Sequence, residues 1–253
     1  MTPVSYYDPH GTTAPKFAYA FAKGCKGTIT DEIDYLFDGP VCAFGSPPVW
    51  PLLRKAQAMK REFYWGDHGY FGRHKYFRIT KNAMQHDGHG RATPDRFRIF
   101  QRPVQPWKKD GRHILVCPNS AVYFGLHGLN VEDWLIGVRE QLATHTDRPV
   151  KIRWKVTAEA IATDLDDAWA VVVFSSAAAL DGLIAGVPCF TLSPFAASVR
   201  MGLTDLSKIE SPFYPDDREQ FLWNLADNQW TIREIFAGDA WRGLQVQERR
   251  HAA

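Results

Sequence analysis

Hydrophobic and polar residues fall in blocks along this chain, and the clearest block predicts two buried strands joined by a short helix. Residues 170–174 carry no charge and are mostly β-branched, as expected for a strand covered on both faces of a parallel sheet. Ser175 and Ser176 then indicate a sharp turn into a helix of small residues. The helix ends near Gly186, and residues 189–192 predict the second strand.

The rest of the chain repeats this alternation of strands and helices, which is typical of parallel sheets. The pattern predicts strands at residues 4–7, 41–46, 62–66, 113–118 and 149–155, and helices at residues 15–23, 48–60, 131–142, 158–165 and within 216–236. Residues 85–109 are rich in turn-forming residues and predict an irregular linker or functional loop. The predicted fold class is α/β, with two small Rossmann-like, doubly wound domains that face each other across a cleft. We expect domains at residues 1–110 and 111–253, with ligands at the carboxyl ends of their strands.

The composition predicts a folded chain without disulfides or membrane spans. The 253 residues are 45% hydrophobic and 13% aromatic, enough for a substantial core. The four cysteines lie far apart and mostly in apolar runs, so we expect buried free thiols, as in a reducing cytoplasm. Neither a signal-peptide pattern nor an apolar run of about 20 residues is found. We therefore expect a cytoplasmic protein, and we leave its oligomeric state open.

The net charge of +2 conceals an uneven distribution along the chain. Residues 1–110 contain 17 lysines and arginines against 10 acidic residues, whereas residues 111–253 contain 13 against 18. Basic residues interleaved with aromatic residues suit a polyanion, because cations neutralise phosphates and rings stack on bases. The alternative is a solvated basic face without a ligand. The candidate nucleic-acid contacts are Arg73, Lys75, Arg78, Lys81, Arg91, Arg96 and Arg98.

An anion site is predicted at the turn that follows residues 170–174. Serines at the start of a helix can cap it, and the unpaired N–H groups there attract phosphates. Asp181 follows on the same helix, where its carboxylate can reach a sugar hydroxyl once a phosphate is held at Ser175 and Ser176. The alternative is a structural cap and a solvated acid. The first interpretation suits a nucleotide-linked ligand.

Two further strand ends could contribute to the same site. Arg153 and Lys155 alternate with Trp154, so a strand would turn both basic side chains toward one phosphate. Surface ion pairs fit the same pattern. Asn119 and Ser120 follow the preceding strand and could line the cleft.

The candidates for a general base lie in the first half of the chain. Asp67 and His68 end a predicted strand between Gly66 and Gly69, where the backbone can approach a ligand closely. The alternative is an aspartate that caps a turn and a histidine that packs among aromatic residues. His10, in the first strand–helix loop, is the rival base.

Two other chemistries are considered and set aside. His86 and His89 have a His-x-x-His spacing without a third ligand, so a polar loop is favoured over a metal site. Ser175 lacks the Gly-x-Ser-x-Gly turn of a hydrolase nucleophile. We therefore predict neither a metal nor a hydrolase triad.

Several of these motifs resemble those of glycosyltransferases. Residues 181–188, Asp-Gly-Leu-Ile-Ala-Gly-Val-Pro, resemble the carboxylate and Gly-x-Pro of the donor-binding domain in GT-B glycosyltransferases. Ser175-Ser176 resembles the phosphate-contacting turn of bacterial capsule and sialic-acid transferases. Pro194-Phe195 and residues 202–205 resemble a segment of capsule Kdo transferases, without its tyrosine and Gly-Trp. The first half, with Asp8-Pro-His-Gly, resembles small GT-B-like proteins of bacteriophages.

The resemblance implies a GT-B glycosyltransferase that moves a sugar from a nucleotide donor, with a UDP-sugar favoured, to a hydroxyl group without an essential metal. Residues 1–110 would form the acceptor side and residues 111–253 the donor side, with Ser175 and Ser176 at the phosphate and Asp181 at the ribose. Together with the basic first half, the bacteriophage resemblance favours hydroxymethylated pyrimidine in DNA as the acceptor, reached by base flipping. The alternatives are a surface polysaccharide as acceptor, or a non-catalytic nucleotide-binding or nucleic-acid-binding module.

Overall fold

The chain folds into two α/β units. The structure, a computed structural model, describes residues 1–33, 37–45, 47–155 and 160–251. The first unit consists of Met1–His86 and the C-terminal segment from Leu225, and the second consists of Asp87–Asn224. Residues 87–110 thus belong to the second unit, so this division differs from the predicted boundary after residue 110. Two α/β units, each with its own sheet of mainly parallel strands, confirm the predicted fold class.

Strands and helices alternate through most of the chain. Up to residue 126 they are β1 (Val4–Tyr6), α1 (Ala14–Cys25), β2 (Thr28–Thr30), β3 (Val41–Phe44), α2 (Trp50–Ala58), β4 (Phe63–His68), β5 (Tyr76–Lys81), α3 (Asp95–Arg98), β6 (His113–Cys117) and α4 (Ala121–Leu126). The later ones are α5 (Val131–His145), β7 (Val150–Ile152), α6 (Ile161–Leu165), β8 (Ala168–Val173), α7 (Ala178–Ala185), β9 (Cys189–Thr191), β10 (Gly202–Leu203), α8 (Arg218–Asp227), β11 (Gln229–Thr231), α9 (Ile232–Phe236) and α10 (Asp239–His251). Residues 46, 158 and 159, where a predicted strand ended and a predicted helix began, lie outside the described residues.

The sheet of the first unit is parallel at one side and antiparallel at the other. Its strand order is β11-β5-β4-β3-β1-β2. The pairs β1–β2, β1–β3 and β3–β4 are parallel, whereas β4–β5 and β5–β11 are antiparallel. Helix α1 contributes Phe17 and Phe21 to the buried cluster that also contains Tyr64, Phe77 and Trp230. The C-terminal segment therefore completes the core of this unit.

The sequence pattern missed β2, β5 and β11. Residues 216–236, where helical spacing was predicted, are divided into α8, β11 and α9. Gln229 in β11 is fully buried, and its side-chain amide accepts the N–H of Phe71 and donates to the Phe71 carbonyl, both at 3.0 Å. This long-range clamp holds a strand where the local spacing indicates a helix.

The sheet of the second unit pairs its strands in parallel, in the order β10-β9-β8-β6-β7. Residues 170–173 of β8 are fully buried, which confirms the prediction from their charge-free sequence. On one face, Val138 of α5 packs in the same cluster as Val172. On the other face, Gly182 of α7 approaches the sheet so closely that a Cβ there would lie 2.9 Å from Val171.

An irregular segment at residues 102–108, which we call the strap, lies along α7. Two backbone hydrogen bonds join it to the end of that helix, from Gln105 to Ile184 at 2.8 Å and from Lys108 to Gly186 at 2.7 Å. Arg218 fastens the strap from α8, because its guanidinium donates to the Gln105 carbonyl at 2.8 Å and lies 3.7 Å above the Trp107 ring. These contacts explain why this part of the chain belongs to the second unit.

All four cysteines are free and buried, as predicted. Burial raises the pKa of the Cys117 and Cys189 thiols to about 12, so almost no thiolate forms near neutral pH. We expect the native protein to stay unmodified by Ellman's reagent at pH 8 over minutes, and the unfolded protein to react at all four thiols. Rapid modification of the native chain would contradict this burial.

Candidate functional site

The carboxyl edge of the second sheet contains a topological switch point. The chain leaves β6 for β7 on one side, and its next strand, β8, lies on the other side of β6. Loops that follow two such strands diverge to opposite faces of a sheet and leave a crevice, where open α/β sheets bind ligands. Here the crevice lies between residues 118–120, after β6, and residues 174–177, after β8.

Hydrogen bonds join these two loops across the switch point. Asn119 Oδ1 accepts the N–H of Ser175 at 2.9 Å, and the Tyr123 hydroxyl donates to Ser175 Oγ at 3.1 Å. Ser120 caps α4, because its Oγ accepts the N–H of Tyr123 at 3.3 Å. The structure thus brings together three residues that the sequence placed at strand ends. Tyr123 was missed, and its only signal is its position in the helix that follows a strand.

The predicted serine cap of α7 comes from Ser176, one residue before the assigned N-cap. Ala177, at the N-cap itself, makes no side-chain hydrogen bond to the helix. Ser176 Oγ instead accepts the N–H of Ala178 at 3.3 Å, and Ser175 is engaged by the loop after β6. Both serines are half-buried. The N–H groups of Ala179 and Leu180 donate to the carbonyls of Ser176 and Ala177, so what the start of α7 offers an anion is the positive end of the helix dipole.

Asp181 lies in the first turn of α7 and is half-buried. Its Oδ1 accepts a hydrogen bond from Arg102 of the strap at 2.7 Å. Burial raises the pKa of the Asp181 carboxyl above its usual value, although the positive charges of Arg102 and Arg153 lower it in part. Arg102 could not be predicted from the sequence, because it precedes Asp181 by 79 residues and no local pattern marks it.

The prediction that Arg153 and Lys155 lie in a strand and point in the same direction is wrong. Strand β7 ends at Ile152, before both residues. Arg153 forms an ion pair with Asp164 of α6, a carboxylate that is 2% exposed, and Lys151 pairs with the same carboxylate. Lys155 lies in an exposed turn. Arg153 therefore carries its charge at this edge while it compensates a buried acid.

In the first unit, a second switch point lies between β1 and β3, because β2 and β3 flank β1 on opposite sides. His10 lies in the loop after β1 and is exposed. Its backbone N–H donates to Asp8 Oδ1 at 3.0 Å, which leaves the imidazole outside this contact. The loop thus holds His10 at the carboxyl edge of the first sheet.

Asp67 and His68 end β4, and neighbouring side chains engage both of them. Asp67 Oδ2 pairs with Arg78 of β5 at 2.6 Å. The His68 ring packs against Phe44 and His74, each with ring centroids 5.3 Å apart. His74 has a φ of 76°, a left-handed backbone that non-glycine residues rarely adopt. His74 was not among the predicted residues, and the turn between β4 and β5 brings it to His68.

Gly66 and Gly69 are needed for packing within the unit. A Cβ at Gly66 would lie 2.2 Å from the Phe17 ring, and one at Gly69 would lie 2.9 Å from Gln229 Oε1. Protein atoms therefore fill the space beside both glycines. The prediction that these positions admit a ligand close to the backbone is wrong.

The basic residues predicted to contact DNA are distributed over both units, and two of them are neutralised within the first sheet. Arg78 is 8% exposed and pairs with Asp67, while Lys81 pairs with Glu62 at 2.6 Å. These pairs correct the prediction that both side chains are available to phosphates. The other candidates are Arg73 and Lys75, exposed in the first unit, and Arg91, Arg96 and Arg98 in the second unit.

A cavity of about 480 Å³ lies in the second unit beside α3, the strap and α8. Phe97 and Trp223 supply aromatic surface, and Arg98, Arg102 and Glu219 supply charge. Aromatic and charged side chains thus meet at one open depression on the surface of this unit. Arg102 links the cavity to α7, because the same guanidinium contacts Asp181.

The described residues contain neither a metal site nor a membrane-spanning helix. Among them, no group of three histidine, cysteine, aspartate or glutamate side chains is arranged to hold a metal ion, and this includes His86 and His89. Within the same residues, no helix has the length and apolarity to cross a membrane.

Comparisons with known proteins identify structural neighbours. No protein-family model and no curated protein sequence matches the chain. A solved structure of Thermosulfurimonas dismutans KpsC, beta Kdo 2,4 transferase, has a TM-score of 0.53 at 10% identity and covers 91% of this chain and 92% of its own. A structure of the beta Kdo 2,7 transferase of the same KpsC has a TM-score of 0.52 at 12% identity. That match covers 95% of this chain and 99% of the other chain. The likeness confirms a fold found in glycosyltransferases, and the bacteriophage resemblance stays a prediction.

Proposed function

We propose that this protein is a glycosyltransferase that takes a sugar from a nucleotide donor and transfers it to a hydroxyl group. The observation that carries the proposal is the joined switch point of the second unit, where Asn119 and Ser175 connect the loops after β6 and β8. Crevices at switch points bind nucleotides in open α/β sheets. The fold shared with two Kdo transferases supports the same class of activity.

In this proposal the donor phosphates bind at the start of α7, beside Ser175 and Ser176. The positive dipole end of the helix would stabilise the charge that develops on the leaving phosphate. Asp181 would contact the ribose, with Arg102 as a cation beside it. Arg153 would add positive charge at the same edge. A UDP-sugar as donor and independence from metal ions belong to the proposal as well.

The acceptor hydroxyl also needs a base, for which we propose His10, with Asp67 and His68 as the alternatives. A base has to reach the proton that it removes. The exposed position of His10 suits this requirement. Asp67 is already paired with Arg78, and His68 is packed among aromatic rings.

The acceptor we propose is a glycan of the surface-polysaccharide class. Two observations support it: the structural neighbours are named as Kdo transferases, and Arg78 and Lys81 are paired with acids of their own unit. The test is transfer of labelled sugar from UDP-, GDP- or CMP-sugars to oligosaccharides in a mixture without DNA. Transfer that occurs only onto hydroxymethylated duplex DNA would replace the glycan acceptor with the DNA acceptor.

Asp181→Asn tests the donor site directly. We expect calorimetric titration with UDP, GDP, ADP and CMP to identify a nucleotide that binds the wild-type protein. The substitution should weaken that binding about tenfold to hundredfold, because hydrogen bonds to charged groups are worth about 1.5–3 kcal/mol. Because burial raises the pKa of Asp181, its carboxylate is lost at a higher pH than usual, and affinity should fall as the pH drops toward that pKa.

Asp205→Asn is the matched control, since Asp205 is an exposed carboxylate of the same unit that caps a short turn. It should leave nucleotide affinity unchanged. Equal affinity in wild type and Asp181→Asn would remove Asp181 from the donor site. If the wild-type protein binds none of the four nucleotides, the proposed function is wrong.

A further inference from the structure

An exposed aromatic ring stands beside the switch point of the second unit. Phe195 follows β9, the neighbour of β8, and is 53% exposed. Two hydrogen bonds fix its loop: buried Ser193 donates its N–H to the Phe174 carbonyl at 3.1 Å, and Phe195 donates its N–H to Ser193 Oγ at 3.2 Å. The loop that carries Phe195 is therefore held against Phe174, the residue before Ser175.

The ring of His127 backs Phe195 in a nearly parallel stack. The two ring centroids are 5.7 Å apart and the planes differ by 14°. His127 is in turn fixed by Phe174 at 5.5 Å and by Tyr123 at 5.0 Å. Because the Tyr123 hydroxyl contacts Ser175, a continuous row of rings leads from Phe195 to the loop that starts α7.

This row has the chemistry of a base-binding platform. Flat aromatic surfaces that remain accessible bind flat π systems, and base–aromatic stacking tolerates any base because each has a π face. A nucleotide whose phosphate lies at Ser175 and Ser176 would have its base at the same edge of the sheet as Phe195. Stacking by a base would cover an apolar ring that is otherwise in water.

We infer that Phe195, supported by His127, is the platform on which the nucleobase of the donor stacks. The inference rests on the proposed function, because it takes the start of α7 as the phosphate end of the donor site. Phe195 contributes affinity for the base, and His127 is a positioning residue that holds the ring in place.

The experiment compares uridine, cytidine, guanosine and adenosine 5′-monophosphates with ribose 5-phosphate, which lacks a base. The wild-type protein should bind at least one nucleotide on the order of tenfold more tightly than ribose 5-phosphate. Phe195→Ala should remove that advantage and leave the affinity for ribose 5-phosphate unchanged. Phe195→Trp should restore it. Phe213→Ala, at a phenylalanine of the same unit that is 44% exposed, is the control and should bind as wild type does.

The outcomes separate this inference from the proposed function. If wild type and Phe195→Ala bind the nucleotide equally, the platform is wrong while the donor site stands. Equal loss of nucleotide and ribose 5-phosphate binding would also overturn the platform, because it would indicate damage to the phosphate end. Absence of nucleotide binding by the wild-type protein would overturn both.

Discussion

Asp164→Asn is expected to lower the free energy of unfolding by about 3–5 kcal/mol, the loss observed when one partner of a buried ion pair is removed. Asp164 is 2% exposed, and it balances Arg153, whose side chain is 11% exposed, together with Lys151. Asparagine keeps the shape but not the charge, so two cations lose their counter-ion at the carboxyl edge of the second sheet. The measurement is the midpoint and slope of urea denaturation, monitored by tryptophan fluorescence.

The pH dependence of this variant gives an independent check. Burial by itself would raise the pKa of Asp164, but its hydrogen bonds and ion pairs with Lys151 and Arg153 hold that pKa below its usual value. A carboxyl with a lowered native pKa stabilises the fold above its unfolded pKa of about 3.9, and this contribution is lost as the pH falls through the native value. The difference between wild type and Asp164→Asn should therefore be full near pH 7 and shrink in acid.

Asp167→Asn is the matched surface control. Asp167 pairs with Arg112 in the same unit, but the two side chains are 41% and 86% exposed. Exposed pairs contribute about 0–1 kcal/mol, so this variant should unfold close to wild type. If Asp164→Asn costs no more than Asp167→Asn, the buried pair is not a source of stability.

The sequence predicted best those elements in which every residue has the same surroundings, such as a strand that is buried on both faces. Strand β8 is covered on both faces, so every residue in it is apolar and the pattern is unambiguous. Asn119 and Ser175 could be placed near each other because parallel strands end at the same edge. The sequence was informative wherever a local run of residues carried the whole signal.

The missed elements depend on partners that are distant in the sequence. Strand β5 carries Arg78 and Lys81, which local patterns treat as solvent-exposed cations. Asp67 on β4 neutralises Arg78, and Glu62, the residue before β4, neutralises Lys81. The same charges produced the expectation of a DNA-binding face. The number of basic residues can be counted from the sequence, but only the folded structure shows which of them form ion pairs with acidic side chains.

The site shows the same division between local and long-range signals. The candidate residues Ser175, Ser176 and Asp181 lie on one β–α unit, so the sequence could propose them together. Arg102 reaches Asp181 from the strap, whose course is fixed by hydrogen bonds to the end of α7 and by Arg218. Because the strap has no periodic pattern, its contribution to the site could not be predicted.

Gly186→Ala is expected to destabilise the protein by about 2–4 kcal/mol, through a strained backbone and loss of strap hydrogen bonds. Gly186 ends α7 with a φ of 80°, and a Cβ there would lie 2.0 Å from the carbonyl oxygen of Pro106. The strap would have to move away, which breaks the hydrogen bond from Lys108 to Gly186. Arg102, in the same strap, would then shift from Asp181, so nucleotide affinity should fall together with stability.

Substitutions at two other glycines of the same unit separate the effect of backbone strain from the effect of losing the strap hydrogen bonds. Gly128 has a φ of 69° and open space around its Cβ position, so Gly128→Ala should cost only the backbone strain of about 1–2 kcal/mol. Gly137 lies within α5, also with open space, and Gly137→Ala should stabilise by about 0.5–1 kcal/mol. The excess loss of Gly186→Ala over Gly128→Ala, measured by urea denaturation, is the contribution of the strap. Equal losses in these two variants would mean that the strap adjusts to the new methyl group, and the donor site would then keep its affinity.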